Sequence, residues 1–189
     1  MAEPISSVAT HFRIDRTTAV DDLRDGVQLL LDAYHHCENP AVRWPTKEEF
    51  PKVERAFYGL SQIPNVYGAI DGSYIFITKP TGSKYKQRAN QFFGRKGCAL
   101  LLQAVVGPDK TFFDIDIRSP ASFGDWVAYK ISGLNSYLQS ESNVLPENAQ
   151  LLADSGYFAD PHLLTPFNRQ ASYTERELNF NYNHSQGRV

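Results

Sequence analysis

Apolar residues recur every three or four positions over roughly the first 60 residues, and in alternation or in unbroken runs after Pro64. The first spacing belongs to helices and the second to strands. Val20, Leu23, Val27, Leu30 and Tyr34 line one helical face. Thr18-Ala19-Val20-Asp21 offers a hydroxyl cap with an acid three positions on, and Asn39-Pro40 stops the helix. Residues 7–15 predict a short helix and turn ahead of it. The pair reads either as part of a helix-turn-helix or as two amphipathic helices packed together. A third helix runs from Thr46 or Phe50 to Phe57, with Pro51 suited to its first turn.

Beyond Pro64, residues 66–77 predict an apolar strand interrupted by Asp71. Residues 98–106 are nearly all apolar, as in a strand covered on both faces. Gly107-Pro108-Asp109-Lys110 is a turn. Residues 111–117 then alternate, with Phe113, Ile115 and Ile117 on one face and Asp114 and Asp116 on the solvated one. Three such strands with short turns predict an antiparallel meander. A helix over 122–139 follows, its buried face marked by Val127, Ile131, Leu134 and Leu138. Residues 149–154 form a short strand ending in an acid, and residues 163–167 a further brief one. Thr174-Glu175-Arg176-Glu177 is a capping box opening a last helix. The order predicts an α/β domain over 61–189 with a mixed sheet flanked by helices, preceded by a small helical region over 1–60.

Composition narrows the class. A chain of 189 residues with 42% hydrophobic and 13% aromatic content can bury a proper core. No run approaches the roughly 18 apolar residues of a membrane span, and no signal peptide is visible. Cys37 and Cys98 provide no disulfide framework and fit a reducing compartment. The net charge of −2 is unevenly spread. Lys79, Lys84, Lys86, Arg88, Arg95 and Lys96 share a stretch without acids, while the rest of the chain is acidic. Such a segment is either a phosphate-backbone contact or a solvated basic loop.

Two carboxylates stand where charge is expensive. Asp71 interrupts a strand, and Asp154 ends one just before Ser155-Gly156. A buried cationic partner, a turn cap or a shared hard cation such as Mg²⁺ or Mn²⁺ would each accommodate them. Gly72 and Gly156 leave space beside both. Asp125, three residues after Ser122, reads first as part of a helix start and second as a supporting site residue. His35-His36-Cys37 lacks a second ligand pair at zinc spacing. Ser155 lacks a nucleophile elbow, and no phosphate-binding glycine loop occurs.

Four ordered blocks carry a resemblance. They are Gly68-Ala69-Ile70-Asp71-Gly72-Ser73, Phe93-Gly94-Arg95-Lys96-Gly97, Leu151-Leu152-Ala153-Asp154-Ser155-Gly156-Tyr157 with Leu163-Leu164-Thr165-Pro166-Phe167, and Phe180-Asn181-Tyr182-Asn183-His184-Ser185-Gln186-Gly187-Arg188. Together they resemble the PIF/Harbinger-type DDE transposases and their domesticated nuclease-like relatives, over about residues 40–189. The resemblance implies a ribonuclease-H-like fold in which two aspartates and a later glutamate bind two divalent cations, Mg²⁺ or Mn²⁺. Asp71 and Asp154 match the aspartate positions as catalytic and metal-binding residues, with Asp125 supporting. It also implies DNA as the substrate, with Lys84, Lys86, Arg88, Arg95 and Lys96 along its backbone, a separate DNA-binding accessory protein, nuclear action and no membrane. Oligomeric state is left open.

Two departures stand out. The family's glutamate follows the Asn-x-x-His-Ser-x-x-Arg pattern by about one helical turn, whereas here only Val189 follows Arg188. The expectation is a C-terminally truncated chain lacking its third acid and cleaving weakly or not at all. The family's His-Asp pair is also represented only by Gly124-Asp125. A domesticated, non-catalytic DNA- or protein-binding derivative is the alternative.

Overall fold

The computed structural model describes residues 4–37, 40–81, 89–140, 145–168 and 172–188. The chain divides into two compact units, Met1–Ala41 and Val42–Val189. No helix among the described residues is long and apolar enough to cross a membrane.

The smaller unit holds helix α1 (Ile5–Phe12) and helix α2 (Arg16–His35). Arg13 turns the chain between them in the left-handed region, at φ 56°. Asp15, rather than Thr18, caps α2: its carboxylate accepts from the Thr17 and Thr18 amides at 2.7 and 3.1 Å. An anion there satisfies two open donors at the positive end of the helix dipole, so the helix starts earlier than the Thr18 signal suggests. The predicted buried face is largely exposed. Leu23, Val27, Leu30 and Tyr34 stand in solvent, and Ala19 is the buried residue of α2. The 8 residues of α1 are too few to cover the 20 of α2.

In the larger unit, helix α3 (Phe50–Ser61) carries Pro51 in its first turn, where the missing N–H costs nothing. Its Phe57 packs with Val66, Ala69 and Leu152, so the third helix goes with the sheet. The strands are β1 (Val66–Phe76), β2 (Phe93–Gly94), β3 (Gly97–Val106), β4 (Phe112–Pro120), β5 (Gln150–Ala153) and β6 (Leu163–Leu164). The main sheet runs β4-β3-β1-β5-β6, with β2 a short hairpin partner at the start of β3. β1, β3 and β4 form the expected antiparallel meander, while β5 and β6 run parallel to β1. It is therefore a mixed sheet flanked by helices. Leu151, Leu152 and Ala153 are all fully buried because β5 is covered on both faces. Each such leucine contributes about 1.5–3 kcal/mol.

The predicted helix over 122–139 is two helices, α4 (Asp125–Ile131) and α5 (Gly133–Leu138). Ser132 breaks it with an extended ψ of 157° and caps α5 by accepting from the Asn135 amide at 3.3 Å. The break rotates the buried face, so Ala128 and Tyr129 are buried in α4, whereas Val127 and Ile131 are exposed.

β4 departs from its alternation as well. Ile115 and Ile117 are exposed, while the Asp116 side chain is only 12% exposed. Irregularities in the β3–β4 register near Leu101 and Val105 rephase the strand, so Asp114 pairs with Val105 and Asp116 with Gln103. Asp116 is offset by Arg118, which donates to it from its main chain at 2.9 Å and from Nε at 3.0 Å. The last helix, α6 (Glu175–Gln186), opens with both halves of the Thr174/Glu177 capping box.

Candidate active site

Ile70 of β1 pairs with Ala153 of the parallel strand β5. The next residue after each is an acid, Asp71 within β1 and Asp154 just past the end of β5, so the two leave the core side by side. Neighbouring strands lie about 4.8 Å apart. Asp71 is not buried. The strand is buried from Val66 to Ile70 and becomes exposed at Asp71, whose side chain is 66% exposed. Its Oδ1 accepts from the Gly72 amide at 2.8 Å. Asp154 is half-buried and shapes the turn after β5, its Oδ1 accepting from the Gly156 amide at 2.7 Å.

Asp125 joins them from α4. A β-carbon at Gly72 would fall on Asp125 Oδ1, and one at Gly156 would lie 3.0 Å from Asp125 Oδ2. The space beside the two glycines is therefore taken up by carboxylates, Asp125 at Gly72 and Asp154 with Asp125 at Gly156, a correction to the expectation that it stands open. Asp125 is half-buried, and its carboxyl is pushed above the ordinary range by burial, then by the charges of Asp154 and Asp71. The three acids thus share one electrostatic environment. Among the described residues, however, no three His, Cys, Asp or Glu side chains are grouped as a metal cage.

Two neighbours are not among the residues that the sequence singles out: Gln103, which lies outside the four blocks, and Tyr157, the last residue of the block that carries Asp154. Gln103 of β3 is buried and lies opposite Gly72 in the ladder. Its Nε2 donates to the Asp125 carbonyl at 3.2 Å and to the Tyr157 hydroxyl at 3.1 Å. Tyr157 is buried, and burial, then the Asp125 charge, raise its phenol. The only sequence signal for Gln103 is a lone amide inside an otherwise apolar run.

The Asn-x-x-His-Ser-x-x-Arg block occupies one face of α6 and the turn after it. Asn181 clamps the Phe167 main chain, accepting from its N–H at 2.8 Å and donating to its carbonyl at 3.3 Å. His184 is 1% exposed, and its Nε2 donates to the Leu164 carbonyl at 2.7 Å. With the helix fixed against β6 in this way, Arg188 Nη2 reaches 3.8 Å from Asp71 Oδ2. Arg95 and Lys96 are exposed in the β2–β3 turn. Lys84, Lys86 and Arg88 lie outside the described residues.

Fold and site together define an α/β protein with acidic side chains gathered where β1 leaves the core and where the adjacent parallel strand β5 ends. The model of the DDE superfamily endonuclease family matches residues 70–189, and the chain belongs to that family. It is 32% identical to "Protein ALP1-like" of Arabidopsis thaliana, over 97% of this chain and 46% of that protein. It is 29% and 26% identical to "Putative nuclease HARBI1" of Rattus norvegicus and Homo sapiens, over 76% of this chain and 39% of each. The resemblance read from the four sequence blocks is borne out. The chain spans less than half the length of these relatives. No solved structure matches it.

Proposed function

We propose that this chain is the nuclease core of a Harbinger-type DDE transposase, or of a domesticated nuclease derived from one, and that Asp71 and Asp154 supply two of the three acids with which such a protein hydrolyses DNA phosphodiesters using Mg²⁺ or Mn²⁺, the third having no counterpart among residues 1–189. The observation that carries the reading is the Ile70–Ala153 pairing, which delivers Asp71 and Asp154 together to the edge of the core. In this reading the sheet is ribonuclease-H-like. The antiparallel β4-β3-β1 set beside parallel β5 and β6 supports it.

Asp71 and Asp154 would hold the ions. Both are hard oxygen donors, and the exposure of Asp71 leaves it open to solvent and phosphate. Bound divalent ions supply Lewis-acid activation of a water or DNA 3′-hydroxyl and stabilise the leaving oxygen. The chain's own part is placement. Asp125 packs the space between Gly72 and Gly156 and adds negative charge that attracts cations. Arg188 offers a cation next to Asp71. Arg95, Lys96 and the sequence-adjacent Lys84, Lys86 and Arg88 would follow the DNA backbone, supplying affinity and position. Strand transfer, a DNA-binding accessory protein and action in the nucleus belong to the same proposal.

Two measurements test it. Mn²⁺ raises the melting temperature of the chain, and Asp71→Ala removes the rise. The full-length protein nicks plasmid DNA with Mg²⁺, and Asp71→Ala abolishes nicking. Undiminished cleavage by Asp71→Ala would sink the metal mechanism. If Mn²⁺ neither binds nor stabilises, the non-catalytic DNA- or protein-binding derivative takes its place.

A further inference from the structure

Gln103 is a buried side chain that links all three acid-bearing segments. It sits on β3 directly opposite Gly72, the neighbour of Asp71. One amide nitrogen spends both of its protons on the other two segments. It donates to the main-chain carbonyl of Asp125 at 3.2 Å, at the start of α4. It also donates to the Tyr157 hydroxyl at 3.1 Å. Tyr157 in turn closes the turn that carries Asp154, its own N–H donating to the Asp154 carbonyl at 3.2 Å. The tyrosine ring is 4% exposed and packed in the main core, so the turn cannot shift without it.

The other end of the amide has no partner. Gln103 Oε1 is buried with no hydrogen bond among the described residues. A fold seeking stability alone would place an apolar side chain here, because an orphaned buried carbonyl is unfavourable. Reversing the amide would let Oε1 accept from the Tyr157 hydroxyl but would set it against the Asp125 carbonyl, acceptor against acceptor, and leave that carbonyl without its donor. The orientation is therefore set by what Nε2 holds.

We infer that Gln103 is a positioning residue of the acidic site, which fixes the spacing of Asp71, Asp125 and Asp154 by tying α4 and the turn after β5 to the strand opposite Gly72. Its consequence for metal binding rests on the function proposed above. The geometric claim does not.

The test is Gln103→Met, which keeps length and apolar volume but removes both donors and the orphaned carbonyl, together with Tyr157→Phe and the double variant. Each is titrated with Mn²⁺ and mapped by backbone amide NMR shifts. In Gln103→Met the melting temperature changes little, while Mn²⁺ binds about tenfold more weakly, the scale of losing an outer-sphere partner. The amides of Asp125 and Trp126 shift together with those of Gly156 and Tyr157, and those of α6 stay in place. The double variant binds Mn²⁺ no more weakly than Gln103→Met, because both substitutions cut the same tie. Simple destabilisation would instead make the two losses add. Undiminished Mn²⁺ affinity with unmoved amides in Gln103→Met overturns the inference, and so does additivity. If the parent chain binds no Mn²⁺, the proposed function fails, and the paired amide shifts alone decide for or against Gln103.

Discussion

The Asp125 carboxylate occupies the space that a side chain at residue 72 would need, and it also lies 3.0 Å from where one at residue 156 would begin. Two glycines from sequence blocks far apart in the chain therefore serve one acid from a third. Each glycine follows close behind a candidate metal-binding aspartate. Their smallness lets Asp125 approach both Asp71 and Asp154.

Gly72→Ala should accordingly destabilise the protein by about 1–3 kcal/mol, the range for overpacking. The added methyl would meet Asp125 Oδ1 and lie 3.2 Å from Leu101 Cδ1. In an Asp125→Ala background the main obstacle is gone, and the same substitution should cost under about 1 kcal/mol. Urea unfolding of the four proteins in the cycle gives the comparison. Equal costs in both backgrounds would show that Asp125 does not fill the space.

Asp125 also sets a pH dependence of known sign. Burial, then the charges of Asp154 and Asp71, raise its carboxyl above 3.8, so the native state holds the proton more tightly than the unfolded chain. Stability from this group is complete at acid pH and is lost as pH rises from 3.8 through the raised value. Asp114, raised by burial and then by Asp116, acts with the same sign. Without divalent ions, Asp125→Asn should therefore flatten this decline, though Asp114 preserves part of it, and should be more stable than the parent at neutral pH. Urea midpoints across the acid-to-neutral range test this. A steeper decline in Asp125→Asn would contradict it.

The β4 strand makes a separate case. Ile117 is 46% exposed, while the Asp116 side chain is 12% exposed and held by Arg118, whose hydrogen bond is the main cause of its lowered carboxyl. Ile117→Thr should change stability by less than about 0.5 kcal/mol, as at most surface positions. Asp116→Ala should cost about 0.5–1.5 kcal/mol, the net worth of the hydrogen bond its half-buried carboxylate accepts from the Arg118 main chain, since the exposed Arg118 guanidinium keeps water as a partner. Thermal unfolding ranks the two, and the reverse order would restore the alternation read from sequence.

These contrasts show what the chain discloses by pattern. The meander, the short apolar β5, the capping box at Thr174 and the acids that interrupt or end apolar runs are local signals of period and turn chemistry, so they are legible. The inverted face of β4 is not, because it depends on irregularities in pairing with β3 that alternation does not encode. Ser132 breaks one long helix into two by capping, a signal that the apolar spacing around it masks. The exposed α2 face is not legible either, because periodicity reports amphipathicity, and amphipathicity does not supply a neighbour. At the site, Asp71 and Asp154 were legible one by one, but their adjacency needed the β1–β5 register. Gln103 was invisible because its role lies entirely in partners from distant segments.

His184 tests how α6 is held. Its ring is buried and donates to the Leu164 carbonyl, so His184→Ala should cost about 2–4 kcal/mol through a cavity and an orphaned acceptor. Burial lowers its pKa below 6.5, so the native ring stays neutral where the unfolded one takes a proton. Its contribution is complete above 6.5 and is lost as pH falls below that value towards the lowered one. Denaturation midpoints between about pH 5 and 7 should fall with acidity in the parent and flatten in His184→Ala. An unchanged pH profile in that variant would place the acid sensitivity elsewhere.

Arg188 and Asp71 form the last testable contact. Their nearest atoms are 3.8 Å apart, with side chains 26% and 66% exposed. A pair so open to water contributes about 0–1 kcal/mol, so it does not secure α6, which Asn181 and His184 already fix. Its effect is on charge at the site. A guanidinium beside Asp71 opposes a divalent ion there and attracts a phosphate. Arg188→Gln should therefore leave stability within about 0.5 kcal/mol. Mn²⁺ should bind up to about fivefold more tightly, the equivalent of about 1 kcal/mol. DNA should bind more weakly, with the salt slope reduced by about 1. Mn²⁺ titration and DNA binding at several salt concentrations read the two effects separately. Weaker Mn²⁺ binding in Arg188→Gln would show that the guanidinium orders Asp71 rather than competing for it.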